Sequence, residues 1–146
     1  MLMNMKVLSF KIPKPGKEAL VYQEDQEVQF FDQLHQHEEI QISQIIAGSG
    51  SVIIGDSINN YEQGDILVIG ANVPHVFASD TTRSHKSVMY TLFFTEHSFG
   101  KDFFRTTDLA ELEILFQDAA NGIKVLSHRE QLTALFLELK HQNRIE

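Results

Sequence analysis

The chain reads as a mainly β protein, an antiparallel sandwich or barrel, closed at its C-terminal end by two helices. Three observations lead there. Short runs rich in Val, Ile, Phe and Tyr, among them "ALVYQE", "EVQFFDQL", "EIQISQIIAG", "GSVIIGDS", "DILVIG", "PHVFAS" and "SVMYTLFFT", recur through the first hundred residues. Gly, Asn, Asp and Ser separate them, and no helix-length segment intervenes, which is the pattern of antiparallel strands in a barrel or sandwich. From about residue 106 the apolar period changes from that of a strand to that of a helix.

The elements follow in order. "GSGSVIIGD" has the glycines of a phosphate loop, but it continues as a strand and has no Lys-Ser/Thr, so a hairpin turn is expected there. In "TTDLAELEILFQDAANG", Asp108 stands three residues before Glu111, a capping-box spacing. Leu109, Leu112, Leu115, Phe116 and Ala119 share one helix face, and Gly122 is placed to cap its end. In "SHREQLTALFLELKHQNRIE", Ser127 and Glu130 repeat the box, and Leu132, Leu135, Phe136 and Leu139 form an apolar stripe. Either stripe can pack on the sheet or present a face to a partner.

Composition narrows the function. The 146 residues are 42% hydrophobic with 3 prolines, enough for a single packed domain. A net charge of -8 repels phosphate, so this segment is a poor nucleic-acid binder. Cysteine is absent, which removes disulfides and thiolate chemistry. The N-terminus lacks an apolar core for a signal peptide, and no stretch reaches the roughly 20 apolar residues of a membrane span. A soluble, cytoplasmic protein with no membrane partner is expected.

The chemistry centres on "LHQHEEIQISQIIAGSG". His35, His37, Glu39 and Gln41 share a strand parity and so a side. His75 opens "PHVFAS", where a neighbouring strand can bring it to the first pair. Three neutral imidazoles are a possible site for Zn, Fe, Ni or Mn, with the Gln41 amide oxygen as a fourth ligand. An amide supplies a dipole where a carboxylate supplies charge, so this set compensates a cation poorly. Glu38 has the wrong parity to replace it. His85, His97, His128 and His141 have no spacing partner and read as surface or structural.

These residues resemble the cupin superfamily of jelly-roll-like double-stranded β-helix barrels. His35, His37 and Gly48 fall on its first motif, with Gln29 for a glycine and Gln41 for the glutamate. Gly64 and His75 fit the second, with Gly70 for a proline, Asn72 for a glycine and Ser79 for an asparagine. More closely, His-x-His-x-x-x-Gln, the "GSG" turn, "GDILVIG" and "N-x-P-H-x-F" resemble the N-terminal sensor domain of AraC-type transcriptional regulators. The resemblance covers essentially the whole chain. It implies a cupin sensor over residues 1–105 and a helical dimerisation and linker segment over 106–146. It also implies a homodimer and a DNA-binding helix-turn-helix domain that this chain does not contain.

On that resemblance the barrel senses a small molecule, such as a sugar or small metabolite, and requires no cofactor. His35, His37, Gln41 and His75 are the candidate contacts, joined by Tyr90 from "SVMYTLFF". Leu132, Leu135, Phe136 and Leu139 are the candidate dimer seam. The rival is a metal-dependent cupin enzyme of dioxygenase or sugar-isomerase type, using the same histidines.

Overall fold

A computed structural model of the chain describes residues 6–13, 20–98 and 110–145, without the side chains of 110–113 and 142–145. Among the described residues, ten strands and two α-helices follow in order: β1 (Leu8–Ser9), β2 (Val21–Glu27), β3 (His35–Gln36), β4 (Ile40–Ala47), β5 (Gly50–Ile54), β6 (Ser57–Tyr61), β7 (Ile66–Ile69), β8 (His75–Ser79), β9 (Ser87–Phe94), α1 (Ala110–Asp118), β10 (Ile123–Lys124) and α2 (Arg129–Ile145). They form two five-stranded sheets, ordered β1-β3-β8-β5-β6 and β10-β7-β4-β9-β2. The fold is the expected one: mostly strand, two sheets and two C-terminal helices.

Alternation along the strands builds the core between the sheets. Val52, Ile54, Tyr61 and Phe77 come from the first sheet, and Ile45, Leu67, Ile69 and Met89 from the second. Each is nearly fully buried. A side chain of this size contributes about 1.5–3 kcal/mol when removed from water, so this shared interior holds the sheets together.

Two strand expectations need correction. "EVQFFDQL" is not a strand, because β2 ends at Glu27 and the chain bends away. Phe30 turns inward against Tyr61 and Phe77, with ring centroids 6.1 and 5.6 Å away. Its N–H donates to Ser79 Oγ at 3.0 Å, fastening the bend to β8. Conversely, "SINNY" forms β6, an edge strand whose exposed asparagines hid it from a propensity reading. The two-residue Gly55-Asp56 turn joins it to β5, with Gly55 at φ 57.

The helices cover the outside of the second sheet. Phe116 and Ala119 pack on Ile40, Val68 and Phe94, while Leu115 is 36% exposed. Gly122 (φ 79) ends the turn after α1 by donating its N–H to the Ala119 carbonyl, as expected of a cap. Asp108 and Leu109 lie outside the described residues, as do the side chains of Glu111 and Leu112, so the expected box falls there too. β10, within the segment assigned to helices, pairs with β7 and adds an edge to the sheet. At the start of α2, the Ser127 hydroxyl lies 3.2 Å from the His128 ring.

α2 lies on β2, β4 and β9 through Thr133, Phe136 and Lys140. Gln44 Nε2 donates to Thr133 Oγ1 at 2.7 Å, and Lys140 reaches the Tyr90 hydroxyl at 3.0 Å and Glu24 at 3.6 Å. Phe136 is 2% exposed within this chain. That corrects its assignment to a dimer seam, because the side chain is already used in the fold. Leu135 stays 53% exposed, and Leu132 and Leu139 are half-buried.

Candidate functional site

The first sheet brings the histidines together by strand pairing. His35 on β3 is the direct antiparallel partner of His75 on β8, and their rings lie 4.3 Å apart. His37 follows β3 and stands edge-on to His75 at 5.0 Å. Asn72, at φ 57, donates its N–H to the His37 carbonyl. Asparagine tolerates this left-handed conformation, which explains how it replaces the motif glycine. Ser79, in place of the motif asparagine, holds Phe30 N–H and the Tyr61 hydroxyl. At the position of the motif proline, Gly70 donates its N–H to Ala119, and a Cβ there would lie 3.1 Å from that residue's backbone.

Hydrogen bonds orient each ring. His75 Nδ1 donates to the Val73 carbonyl and His35 Nδ1 to the Gln33 carbonyl, both at 2.8 Å. Their Nε2 atoms then carry lone pairs, and His75 Nε2 is buried without a hydrogen-bond partner. Burial, with His35 beside it, holds His75 well below its ordinary 6.5, at about 3, so the ring is neutral at pH 7. Burial also lowers His35. His37 has an oxygen at each nitrogen, the Glu39 carbonyl at 2.9 Å and Gln41 Oε1 at 3.0 Å. Gln41 Nε2 donates to Ser43 Oγ, which bonds Thr91 Oγ1 at 2.7 Å.

The parity that grouped Glu39 with Gln41 fails, because residues 37–39 are not a regular strand. Glu39 is buried behind the His37 ring, its Oε1 3.9 Å from Nδ1, and does not line the cavity that holds the three imidazoles. That cavity has a volume of about 450 Å³. Gln23, Asp25 and Glu27 from β2, Met89, Thr91 and Phe93 from β9, and Phe30, Phe31 and Phe77 line it with the histidines and Gln41. Phe10 packs over its mouth against Phe31 and His35.

Tyr90 is the site expectation that the structure corrects. It lies between the cavity-lining Met89 and Thr91 and so points to the opposite face, beside Tyr22 and under Lys140. The acidic edge of β2 was missed. After Tyr22 the stretch "YQEDQE" is polar throughout and shows no buried face, and only the β2–β9 register, Gln23 beside Thr91 and Asp25 beside Met89, shows which alternate faces the cavity.

The AraC-like ligand binding domain family model matches residues 17–143. The chain belongs to this family. No curated protein is similar enough to match. Two solved structures are partly similar to the AraC-like domain. A cupin 2 conserved barrel domain protein from Rhodopseudomonas palustris is 19% identical over 57% of this chain and 57% of its own, with TM-score 0.46. An alanine variant of Bacillus subtilis oxalate decarboxylase is 20% identical over 53% of this chain and 22% of its own, with TM-score 0.42.

The donor set of this AraC-like domain fits a divalent cation in part. The ligand atoms of His35, His37 and His75 lie within 4.8 Å of one another. Nitrogens around one tetrahedral zinc would be about 3.3 Å apart, so a small inward movement would be needed. Two lone pairs already point inward, while His37 would have to exchange its bond to Gln41 for the ion. Gln41 can offer its oxygen but no charge. The Glu39 backbone carbonyl, 2.9 Å from His37 Nδ1, is the kind of partner that orients a ligating imidazole and raises its basicity. No helix among the described residues is long and apolar enough to cross a membrane.

Proposed function

We propose that this chain is the effector-sensing and dimerisation domain of an AraC-family transcriptional regulator, binding a small molecule in its cavity. One observation carries the reading: a cavity of about 450 Å³ with aromatic walls and a few converging polar groups, on a domain of this family. That is the size and chemistry of a small-molecule site. His35, His37, Gln41 and His75 are its polar contacts. A homodimer forms through the exposed leucines of α2, and DNA recognition falls to a separate helix-turn-helix domain.

The same strands carry cavity contacts on one face and α2 contacts on the other. Asp25 and Thr91 line the cavity, and Glu24 and Tyr90 face Lys140. Effector binding that favours one arrangement of β2 and β9 therefore biases α2, provided the effector binds that arrangement more tightly. A thermal-shift screen of sugars, small acids and amines tests the reading. A saturable rise in melting temperature is expected, lost in Thr91→Trp, which fills the cavity. Absence of any such ligand refutes it.

The convergence of three imidazoles favours a second reading, a small metal-dependent cupin enzyme. An ion held by His35, His37, His75 and Gln41 would supply Lewis acidity toward a substrate oxygen. Elemental analysis of protein purified without added metal separates the two. A stoichiometric transition metal selects the enzyme, and its absence selects the sensor.

A further inference from the structure

The polar lining of the cavity is one-sided. Among the described residues, no Lys or Arg lines it. The amide groups that could donate are already engaged: Gln23 Nε2 reaches both Asp25 oxygens at 3.1 and 3.0 Å, Gln29 Nε2 reaches Asp32, and Gln41 Nε2 reaches Ser43. What remains open accepts. His75 is 1% exposed and its Nε2 has no partner, while His35 Nε2 carries a lone pair beside it. On the opposite wall Asp25 and Glu27 follow one another along the inward face of β2, and no Lys or Arg among the described residues lines the cavity beside them.

From this we infer, on the sensing reading above, that the effector is an organic amine: a protonated ammonium group on an apolar body. The ammonium offers three donors and no acceptor, and it neutralises the Asp25–Glu27 edge, which a neutral polyol leaves uncompensated. An anionic ligand meets like charge and finds no basic side chain among the described residues that line the cavity. The apolar body lies against Phe30, Phe77 and Phe93, whose ring faces also attract a cation. Burial raises the Asp25 carboxyl, with Glu27 acting in the same direction against the Gln23 hydrogen bonds, and an adjacent cation relieves both effects.

The test uses one skeleton in three charge states: 2-phenylethylamine, 2-phenylethanol and phenylacetate. Each is titrated calorimetrically at pH 7 with EDTA present, which removes divalent ions from the imidazoles. The amine is expected to bind at least ten-fold more tightly than the alcohol, and the acid most weakly. The paired change Asp25→Asn and Glu27→Gln preserves side-chain shape, and its unliganded melting temperature confirms folding. It should reduce amine affinity about ten-fold and leave the alcohol unchanged. Equal binding of amine and alcohol, tighter binding of the acid, or an amine preference that survives the paired change overturns the assignment. In each of those cases the cavity remains a ligand site. If none of the three binds, the amine assignment falls, and the broader screen decides whether sensing falls with it.

Discussion

His75 shows how one buried side chain links sequence, packing and pH. Its Nδ1 is committed to Val73, its Nε2 faces the other imidazoles, and burial keeps it neutral. Its folded pKa of about 3 lies below the ordinary value of about 6.5 expected in the unfolded chain. Above 6.5 neither state holds the proton and stability is complete. As pH falls from 6.5 toward 3 the unfolded chain takes up a proton that the folded chain refuses, so stability declines by up to about 1.4 kcal/mol per pH unit for this group. His35 is shifted in the same direction. Urea unfolding between pH 7 and 4 should show this loss, and His75→Gln should make the profile shallower. An unchanged slope in the variant would mean that His75 is not buried as a neutral ring.

At the scale of elements, α2 is a helix docked by one deep anchor and several polar ties. Phe136 sits on the same face as Thr133 and Lys140, which bond Gln44, Tyr90 and Glu24 of the sheet. Exposed and partly exposed ion pairs add little, typically below about 1 kcal/mol, so the phenyl ring dominates. Phe136→Ala should cost about 3 kcal/mol by chemical denaturation. It should also free α2 for faster amide exchange, while the cavity-lining strands keep their protection. Asp65 adds a second tie: it is buried and lies 3.2 Å from Lys124 and 3.8 Å from Arg129, joining the barrel to β10 and the start of α2.

On the whole-molecule scale, the question is what covers the outward leucines of α2. Leu135 and Leu137 are 53% and 48% exposed, and the proposed homodimer would bury them. Leu135→Glu leaves the buried Phe136 in place, so the variant should still fold cooperatively, with a melting temperature lowered only by the lost association. Sedimentation should then show a monomer where the parent chain is a dimer. A variant that stays dimeric would exclude this seam. A ligand that alters the equilibrium would connect the cavity to the interface through β2 and β9.

Local pattern in the sequence determined the strand runs of β4, β5, β7, β8 and β9, the Gly122 cap and the likeness of His35, His37 and His75 to a cupin set. These features depend on neighbours within a few residues, where period and turn chemistry are legible. The β6 strand was hidden because pairing with β5, not its own side chains, holds Asn59 and Asn60 extended. Tertiary structure alone decided which alternate residues face inward. A single break in strand regularity separated Glu39 from Gln41, the β2–β9 register placed Asp25 in the cavity, and the same register turned Tyr90 to α2. A period of two names two faces but not which is buried; that depends on the strand or helix that arrives from elsewhere in the chain.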